Sequence, residues 1–223
     1  MAPTRKEQFA DDYIYHIYSR SIAKFKIFNS KGEFGRFVDL MNLLRYENFE
    51  YSFSRFAELS ASYKKREIDK LMAHSEKTID ILAYCLMPTH FHFILKQRRD
   101  GGITQYMMRL LNGYSRYFNI KHQRSGPLWS SRFKSVIVED DEQLLHLSRY
   151  IHLNPTSAGL VENPEDWQYS SYNEYLSNKE FICSYKKNIV IDPAQYKKFT
   201  NDRKEYQKDL SKIKLLLIEN YSG

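Results

Sequence analysis

Hydrophobic positions along the chain change period several times, and each change marks an element. Tyr13-Ile14-Tyr15-His16-Ile17-Tyr18-Ser19-Arg20 alternates and predicts a first β-strand. Phe34, Phe37, Val38, Leu40, Met41, Leu43 and Leu44 recur at helical spacing and predict a helix over 33–46. Apolar runs on both sides of Met87-Pro88-Thr89 predict two strands around a sharp turn. Gly101-Gly102 marks a turn before a long amphipathic helix over 103–120, and Gly126-Pro127 breaks that pattern. A strand over 132–138 follows. Asp140-Asp141-Glu142 then places acid where a helix dipole favours it, at the start of a helix through Ile151. That helix is expected to stop near Asn154-Pro155, because a residue before proline is steered out of α geometry.

Two stretches fall outside this alternation. Residues 48–75 are polar and charged, with aromatics at Tyr51, Phe53 and Phe56, and read as an insertion carrying a short helix over 64–72. The chain from Asn163 onward is polar and rich in Tyr and Lys. It is expected to end in a helix over 202–220 with Leu210, Ile213, Leu216 and Leu217 on one side. The remaining order, β-α-β-β-α-β followed by an added helix, predicts an α+β fold with an antiparallel ferredoxin-like sheet and helices on one face. The expected organisation is one domain over 8–176, with the insertion at about 48–75, and an extension over 177–223 of unassigned role.

Charge narrows the class of partner. With 34 Lys and Arg against 27 Asp and Glu, the net charge of +7 favours polyanions through counterion release. Eighteen tyrosines and 14 phenylalanines interleave with these cations, a composition suited to stacking on unpaired bases, although the same rings also fill cores. No apolar stretch is long enough to span a bilayer, and the N-terminal residues do not read as a secretory signal. Two cysteines, Cys85 and Cys183, do not make a disulfide framework, and that count fits a reducing cytoplasm.

The sharpest chemistry is His90-Phe91-His92. On a strand, alternate side chains share a face, so the two imidazoles point the same way and Phe91 the other. Such a pair makes two arms of a divalent metal site, or else a solvated polar face. Farther on, Tyr150 and Asn154 lie one helical turn apart and share a face. A phenol is a poor nucleophile unless its phenolate is stabilised or its target is made more electrophilic, which a metal-bound phosphate achieves. An amide oxygen from Asn154 beside two imidazoles leaves positions open for phosphate oxygens or water, which suits Mg²⁺ or Mn²⁺ better than a closed structural zinc site. Tyr114 and Tyr117 are rival nucleophiles whose alternative role is packing. His16, His146 and His152 are rival ligands, and His152 falls on a different face of its helix from Tyr150.

Three motifs together point to a family. Leu86-Met87-Pro88-Thr89-His90-Phe91-His92, Gly126-Pro127-Leu128-Trp129-Ser130-Ser131-Arg132-Phe133-Lys134 and Tyr150-Ile151-His152-Leu153-Asn154-Pro155-Thr156-Ser157-Ala158-Gly159-Leu160-Val161 resemble the REP-associated tyrosine transposases, single-tyrosine members of the HUH nucleases. The resemblance runs over about 13–175. It implies that His90 and His92 ligate a metal and Asn154 completes the ligand set. It further implies that Tyr150 attacks a scissile phosphate in single-stranded DNA, leaving a 5′-phosphotyrosine link and a free 3′-hydroxyl. The implied partners are DNA hairpins, such as repetitive extragenic palindromes, beside a short guide sequence. The implied assembly is a monomer or homodimer, and the implied location is the cytoplasmic nucleoid. The 48–75 segment and the tail after about Tyr175 depart from the family pattern.

Arg132 and Lys134, with Trp129 before them, suit a stacked base beside a phosphate. Arg20, Arg116, Arg149 and His152 complete the candidate DNA contacts. Two other readings compete with strand transfer. One is a DNA-binding relative that no longer cuts; the other is an RNA-binding ferredoxin-like module, which would be expected to carry exposed aromatic motifs on central strands.

Overall fold

The computed structural model describes residues 9–49 and 53–209. Strand β1 (Ile14–Arg20) buries Tyr15, Ile17 and Ser19 on one face, while its other face is half-buried and ends at exposed Arg20. Helix α1 (Lys31–Leu43) starts at Ser30, whose side chain accepts from the Glu33 N–H. The Glu33 carboxylate turns back to accept from Asn29 N at 2.6 Å, a capping arrangement written in the Ser-x-x-Glu spacing. The insertion forms two helices, α2 (Phe53–Glu58) and α3 (Ala61–His74). Strands β2 (Ile79–Met87) and β3 (His90–Gln97) follow, with only Pro88 and Thr89 between them. Helix α4 (Gly102–Lys121), strand β4 (Lys134–Val138) and helix α5 (Asp141–Ser157) complete the expected series.

The sheet is antiparallel with order β2-β3-β1-β4. Strand β1 therefore sits between β3 and β4, as the β-α-β-β-α-β connection requires. Beyond α5 the chain adds a 3₁₀ turn (Pro164–Asp166) and two helices that hydrophobic period did not predict, α6 (Tyr172–Ser177) and α7 (Pro193–Asn201). Their signals are local instead. Asp192 caps α7 by accepting from Ala194 N and Gln195 N, and Pro193 occupies the first helical position, where its missing N–H costs nothing. Of the helix expected over 202–220, residues 204–209 are helical, and the remainder, with Leu210, Ile213, Leu216 and Leu217, lies outside the described residues. Tyr51 of the insertion also lies outside them.

Helix α5 does not stop at Asn154-Pro155 but runs through Pro155 to Ser157. Proline has no N–H, so the Ile151 carbonyl one turn earlier loses its helical donor. Asn154 Nδ2 supplies a replacement, donating to Ile151 O at 3.4 Å and to Tyr150 O at 3.0 Å. The residue before the proline thus compensates for it, and the helix survives.

Chain contacts group the protein into two units. One comprises the chain up to Asp80 with Pro88–His90 and Leu95–Ile137; the other comprises Ile81–Met87, Phe91–Ile94 and the chain from Val138. In the first, α1 packs on α4 through Phe34, Phe37, Leu40 and Met41 against Tyr106, Leu110, Tyr114 and Phe118, all buried. Gly102 sits so close to the Thr78 carbonyl that a Cβ there would collide with it. The end of α4 is tied to the start of α1 by Lys121 and His122, which meet the buried Glu33 carboxylate at 2.8 and 2.6 Å.

In the second unit, residues 167–184 close the outer edge of β2. Leu86 N donates to Tyr169 O, Ser171 N to Tyr84 O and Ser184 N to Ile81 O. The Trp167 indole donates to Leu86 O and the Tyr175 hydroxyl to Leu82 O. An uncovered edge strand is a template for aggregation, and this one is paired along its length by the chain's own later segment. Helix α6, which lies within that segment, packs on α7 and on the 3₁₀ turn, and α5 packs on the same two elements. Among the described residues, no helix is long and apolar enough to cross a membrane.

Candidate active site

His90 is the first residue of β3, directly after the Pro88-Thr89 turn. Backbone bonds fasten that turn: Ile27 N and Phe28 N donate to Pro88 O at 2.8 and 3.2 Å, and Ser21 N donates to Thr89 O at 2.9 Å. The Thr89 hydroxyl lies 3.0 Å from His90 Nδ1 and sets the ring's orientation. Burial, with a smaller contribution from the Arg20 charge, lowers the His90 pKa to about 4. The imidazole is therefore neutral near pH 7, the form that ligates metals. His16 is likewise lowered to about 4 by burial.

His92 is only 9% exposed. Within the second unit its ring meets that of Tyr150 edge to face, with centroids 6.0 Å apart and planes at 86°. Tyr150 itself is 38% exposed, so one side of the phenol is packed and the other is open to solvent. Asn154, one turn on, is half-buried. With Nδ2 bonded back onto the helix, its Oδ1 is the side of the amide left to meet a cation.

Among the described residues no group of three or more His, Cys, Asp and Glu side chains gathers into a metal cluster. Two imidazoles and an amide oxygen do not form such a cluster, and they remain a fitting set for an ion that keeps most of its positions for water and phosphate. Histidines that ligate metals ordinarily have an outer hydrogen-bond partner, and His90 has a contact of that kind with the Thr89 hydroxyl.

The remaining candidates divide by exposure. Arg20, Arg116, Arg132 and Lys134 are exposed. Arg132 lies just before β4 rather than in it, and Lys134 opens that edge strand. Three further expected DNA contacts have partners within the protein. Trp129 is half-buried; it bridges Ser21, donates from Nε1 to Leu111 O at 3.3 Å, and packs near Phe37 and Tyr114. Arg149 lies over the Phe199 ring at 3.9 Å and bonds Phe199 O and His146 Nδ1. His152 is wholly buried, and both its nitrogens have protein partners: Tyr196 Oη and Ser171 Oγ, each at 2.7 Å. Burial lowers its pKa to about 3, so it stays neutral. It cannot reach a phosphate, and its role is internal.

The rival nucleophile Tyr114 is also wholly buried and donates to Ile27 O at 2.6 Å. Tyr117 lies beneath the guanidinium of Arg36. Sequence reasoning passed over Thr89, whose hydroxyl beside a histidine was visible as a neighbour, and Gln207, whose Nε2 donates to Tyr150 O at 3.0 Å. Gln207 lies 57 residues from Tyr150 along the chain, and no local pattern announces such a contact.

Comparison with known proteins places these motifs. A family model described as "Transposase IS200 like" matches residues 55–154, the stretch from the insertion through the HUH strand to Asn154. A protein of Haemophilus influenzae named as a REP-associated tyrosine transposase is 29% identical over 104 residues, or 42% of this chain. The match spans 59% of that relative's length. A solved structure of a REP-associated tyrosine transposase bound to a REP hairpin superposes with a TM-score of 0.53 at 14% identity, covering 86% of this chain and 93% of that one. At that identity the likeness is one of fold. A crystal structure of a Deinococcus radiodurans transposase is 13% identical, with a TM-score of 0.37 over 68% of this chain and 95% of that one. The chain is similar to the IS200-like transposases, and among them it resembles the REP-associated tyrosine transposases.

Proposed function

We propose that the protein is a metal-dependent single-stranded DNA endonuclease and strand transferase, with Tyr150 as nucleophile. The observation that carries this reading is the packing of the Tyr150 ring against His92, the inner histidine of the HUH strand, with the phenol half open to solvent. The matching family model and the named relative support the reaction class. The hairpin in the similar solved structure supports single-stranded DNA hairpins with an adjacent guide sequence, such as repetitive extragenic palindromes, as the substrate. The cytoplasmic nucleoid is the proposed place of action, with the protein as a monomer or homodimer.

His90, His92 and Asn154 would hold Mg²⁺ or Mn²⁺. A bound divalent ion supplies Lewis acidity at the phosphate oxygens, making phosphorus easier to attack. The Tyr150 oxygen forms the new bond to phosphorus as its proton passes to solvent water. The bond from phosphorus to the 3′ oxygen breaks, and that oxygen takes up a proton to become a free 3′-hydroxyl. The 5′ phosphate stays on Tyr150. Attack by a 3′-hydroxyl on this phosphotyrosine restores a phosphodiester and returns the phenol, so rejoining needs no nucleotide cofactor. Arg20, Arg116, Arg132 and Lys134, exposed and cationic, would position the backbone, while unpaired bases carry sequence information.

The test is incubation of the protein with labelled single-stranded hairpin DNA and Mn²⁺, resolved on a denaturing gel. A covalently shifted band that is lost in Tyr150→Phe supports the reading. If no cognate hairpin yields an adduct while hairpin binding persists, the non-cutting DNA-binding reading takes its place.

A further inference from the structure

A buried polar chain runs through the tyrosine helix. Ser171 Oγ accepts from Tyr84 N at 2.9 Å and lies 2.7 Å from His152 Nε2. His152 Nδ1 lies 2.7 Å from Tyr196 Oη, which lies 2.9 Å from Ser148 Oγ. Ser148 Oγ lies 2.8 Å from Leu145 O. His152, Ser148, Ser171 and Tyr196 are all fully buried. Two arrangements of the protons fit these distances. With Ser148 donating to Leu145 O, the Tyr196 hydroxyl donates to Ser148, the Tyr196 oxygen accepts from His152 Nδ1–H, and His152 Nε2 accepts from the Ser171 hydroxyl. With Ser171 donating to Tyr84 O, 3.3 Å away, every direction along the chain reverses. In either arrangement the four side chains are hydrogen-bonded to one another in the interior.

This network anchors α5 from its inner side at Ser148 and His152, which flank Tyr150 by two residues on either side. A second tie reaches the same turn from outside: Gln207 Nε2 donates to Tyr150 O. Arg149, between Ser148 and Tyr150, is held against Phe199 of α7. Tyr196, Phe199 and Gln207 all lie beyond residue 154, where the family match ends. An apolar core would hold α7 in place equally well. A directional network of this kind sets one rotation and one register, since any slip leaves a donor unpaired in the interior.

We propose that the C-terminal segment 193–207 is a positioning device for the nucleophile, with Tyr196 as its central positioning residue. It acts through His152 and Ser148 to hold the Tyr150 turn of α5 in the rotation that faces His92. The proposal rests on Tyr150 being the nucleophile.

The test variant is Tyr196→Phe, which keeps the ring and removes the one oxygen joining Ser148 to His152. It is measured in the full chain with two readouts. In single turnover with saturating hairpin DNA and Mn²⁺, adduct formation is expected to slow by ~10- to 100-fold, the scale of a small misplacement of a reacting group. Hairpin affinity is expected to stay within about twofold, because no DNA-facing cation changes. The second readout is the ¹⁹F spectrum of 3-fluorotyrosine placed at position 150, taken without metal or DNA. A single resonance in the parent is expected to broaden or split in the variant. Gln207→Ala, a surface change, is expected to move both readouts in the same direction by less. It decides the matter if Tyr196→Phe fails to fold. Unchanged rate and unchanged spectrum in the folded variants, or a faster rate, overturn the proposal. If the parent itself forms no adduct, the strand-transfer reading fails, and the fluorine spectra alone judge the positioning role.

Discussion

The Tyr150 ring stands edge-on to the imidazole of His92, centroids 6.0 Å apart, although 58 residues and two intervening elements separate them along the chain. An edge-to-face pair of this kind contributes about 0.5–1.5 kcal/mol beyond its buried area. It also brings the one exposed phenol of α5 to the strand that carries the two histidines. From this relationship and its surroundings, the consequences below are expected.

Replacing His92 by Ala removes both a proposed ligand and the packing partner of Tyr150. Adduct formation is expected to fall by at least ~100-fold, the scale on which losing a key catalytic contact acts. Mn²⁺ binding, followed by calorimetry, is expected to weaken in parallel. His92→Ala with parent-like Mn²⁺ affinity would argue against the ligand assignment.

Thr89→Val keeps the shape of the turn and removes the oxygen 3.0 Å from His90 Nδ1. Loss of such an outer partner lowers metal affinity by about 10- to 100-fold. The expected result is an activity deficit largely restored by raising Mn²⁺, measured as the metal concentration giving half-maximal adduct. A deficit that no metal concentration restores would place Thr89 elsewhere in the mechanism.

Asn154 and Pro155 are coupled. Asn154→Ala removes the side-chain donor from the Ile151 carbonyl, while the Tyr150 carbonyl keeps its bond from Gln207, at a cost of about 1 kcal/mol. In a Pro155→Ala background the restored N–H satisfies Ile151, so the same substitution is expected to cost less. Chemical denaturation of the four proteins measures the coupling directly. Additive losses would mean that the amide does not compensate for the proline.

Arg132→Ala and Lys134→Ala are each expected to weaken hairpin binding several-fold and to reduce the salt dependence of the affinity by about one counterion. His152→Ala is expected to leave the salt slope unchanged and to lower stability by ~2 kcal/mol or more, since it opens a buried polar network. Binding titrations at three salt concentrations, with thermal melts, separate the two classes.

Glu33 gives the pH dependence. Its burial alone would raise the carboxyl pKa, but hydrogen bonds from Lys121, the Asn29 N–H and His122 outweigh it and hold the value at about 2, against 4.5. A pKa lower in the folded state means that the unfolded chain binds the proton first. The stabilisation is therefore fully present above about pH 4.5 and is lost as pH falls toward 2. Relative to Glu33→Gln, the parent is expected to be more stable at pH 7, and the gap should close on acidification through that window. A gap independent of pH would exclude the ionised carboxylate as its source.

Much of this was legible in the residues themselves. The alternation of 13–20, the helical spacing after Ser30 and the paired apolar runs around Pro88 carry local information, because strand and helix periods are short-range properties of the backbone. The β-α-β-β-α-β order followed from them. The histidine pair and the tyrosine with its asparagine were visible through fixed spacings on a strand and a helix. The continuation of α5 through Pro155 was not, because it depends on one side chain replacing a missing backbone donor. Helices α6 and α7 escaped notice because their buried tyrosines do not make a clean apolar period.

What the chain alone determined is the set of elements, their order and the chemical groups offered by each, since all of these arise from neighbours within a few residues. The tertiary structure decided which groups meet. It put Tyr150 against His92, turned His152 inward to Tyr196 and Ser171 while leaving Arg132 and Lys134 exposed, and brought Gln207 to the carbonyl of Tyr150. Contacts between residues far apart in the chain depend on how whole faces pack and on which buried donors find acceptors. Those conditions are met by the folded chain as a body and are not encoded in any single window of it.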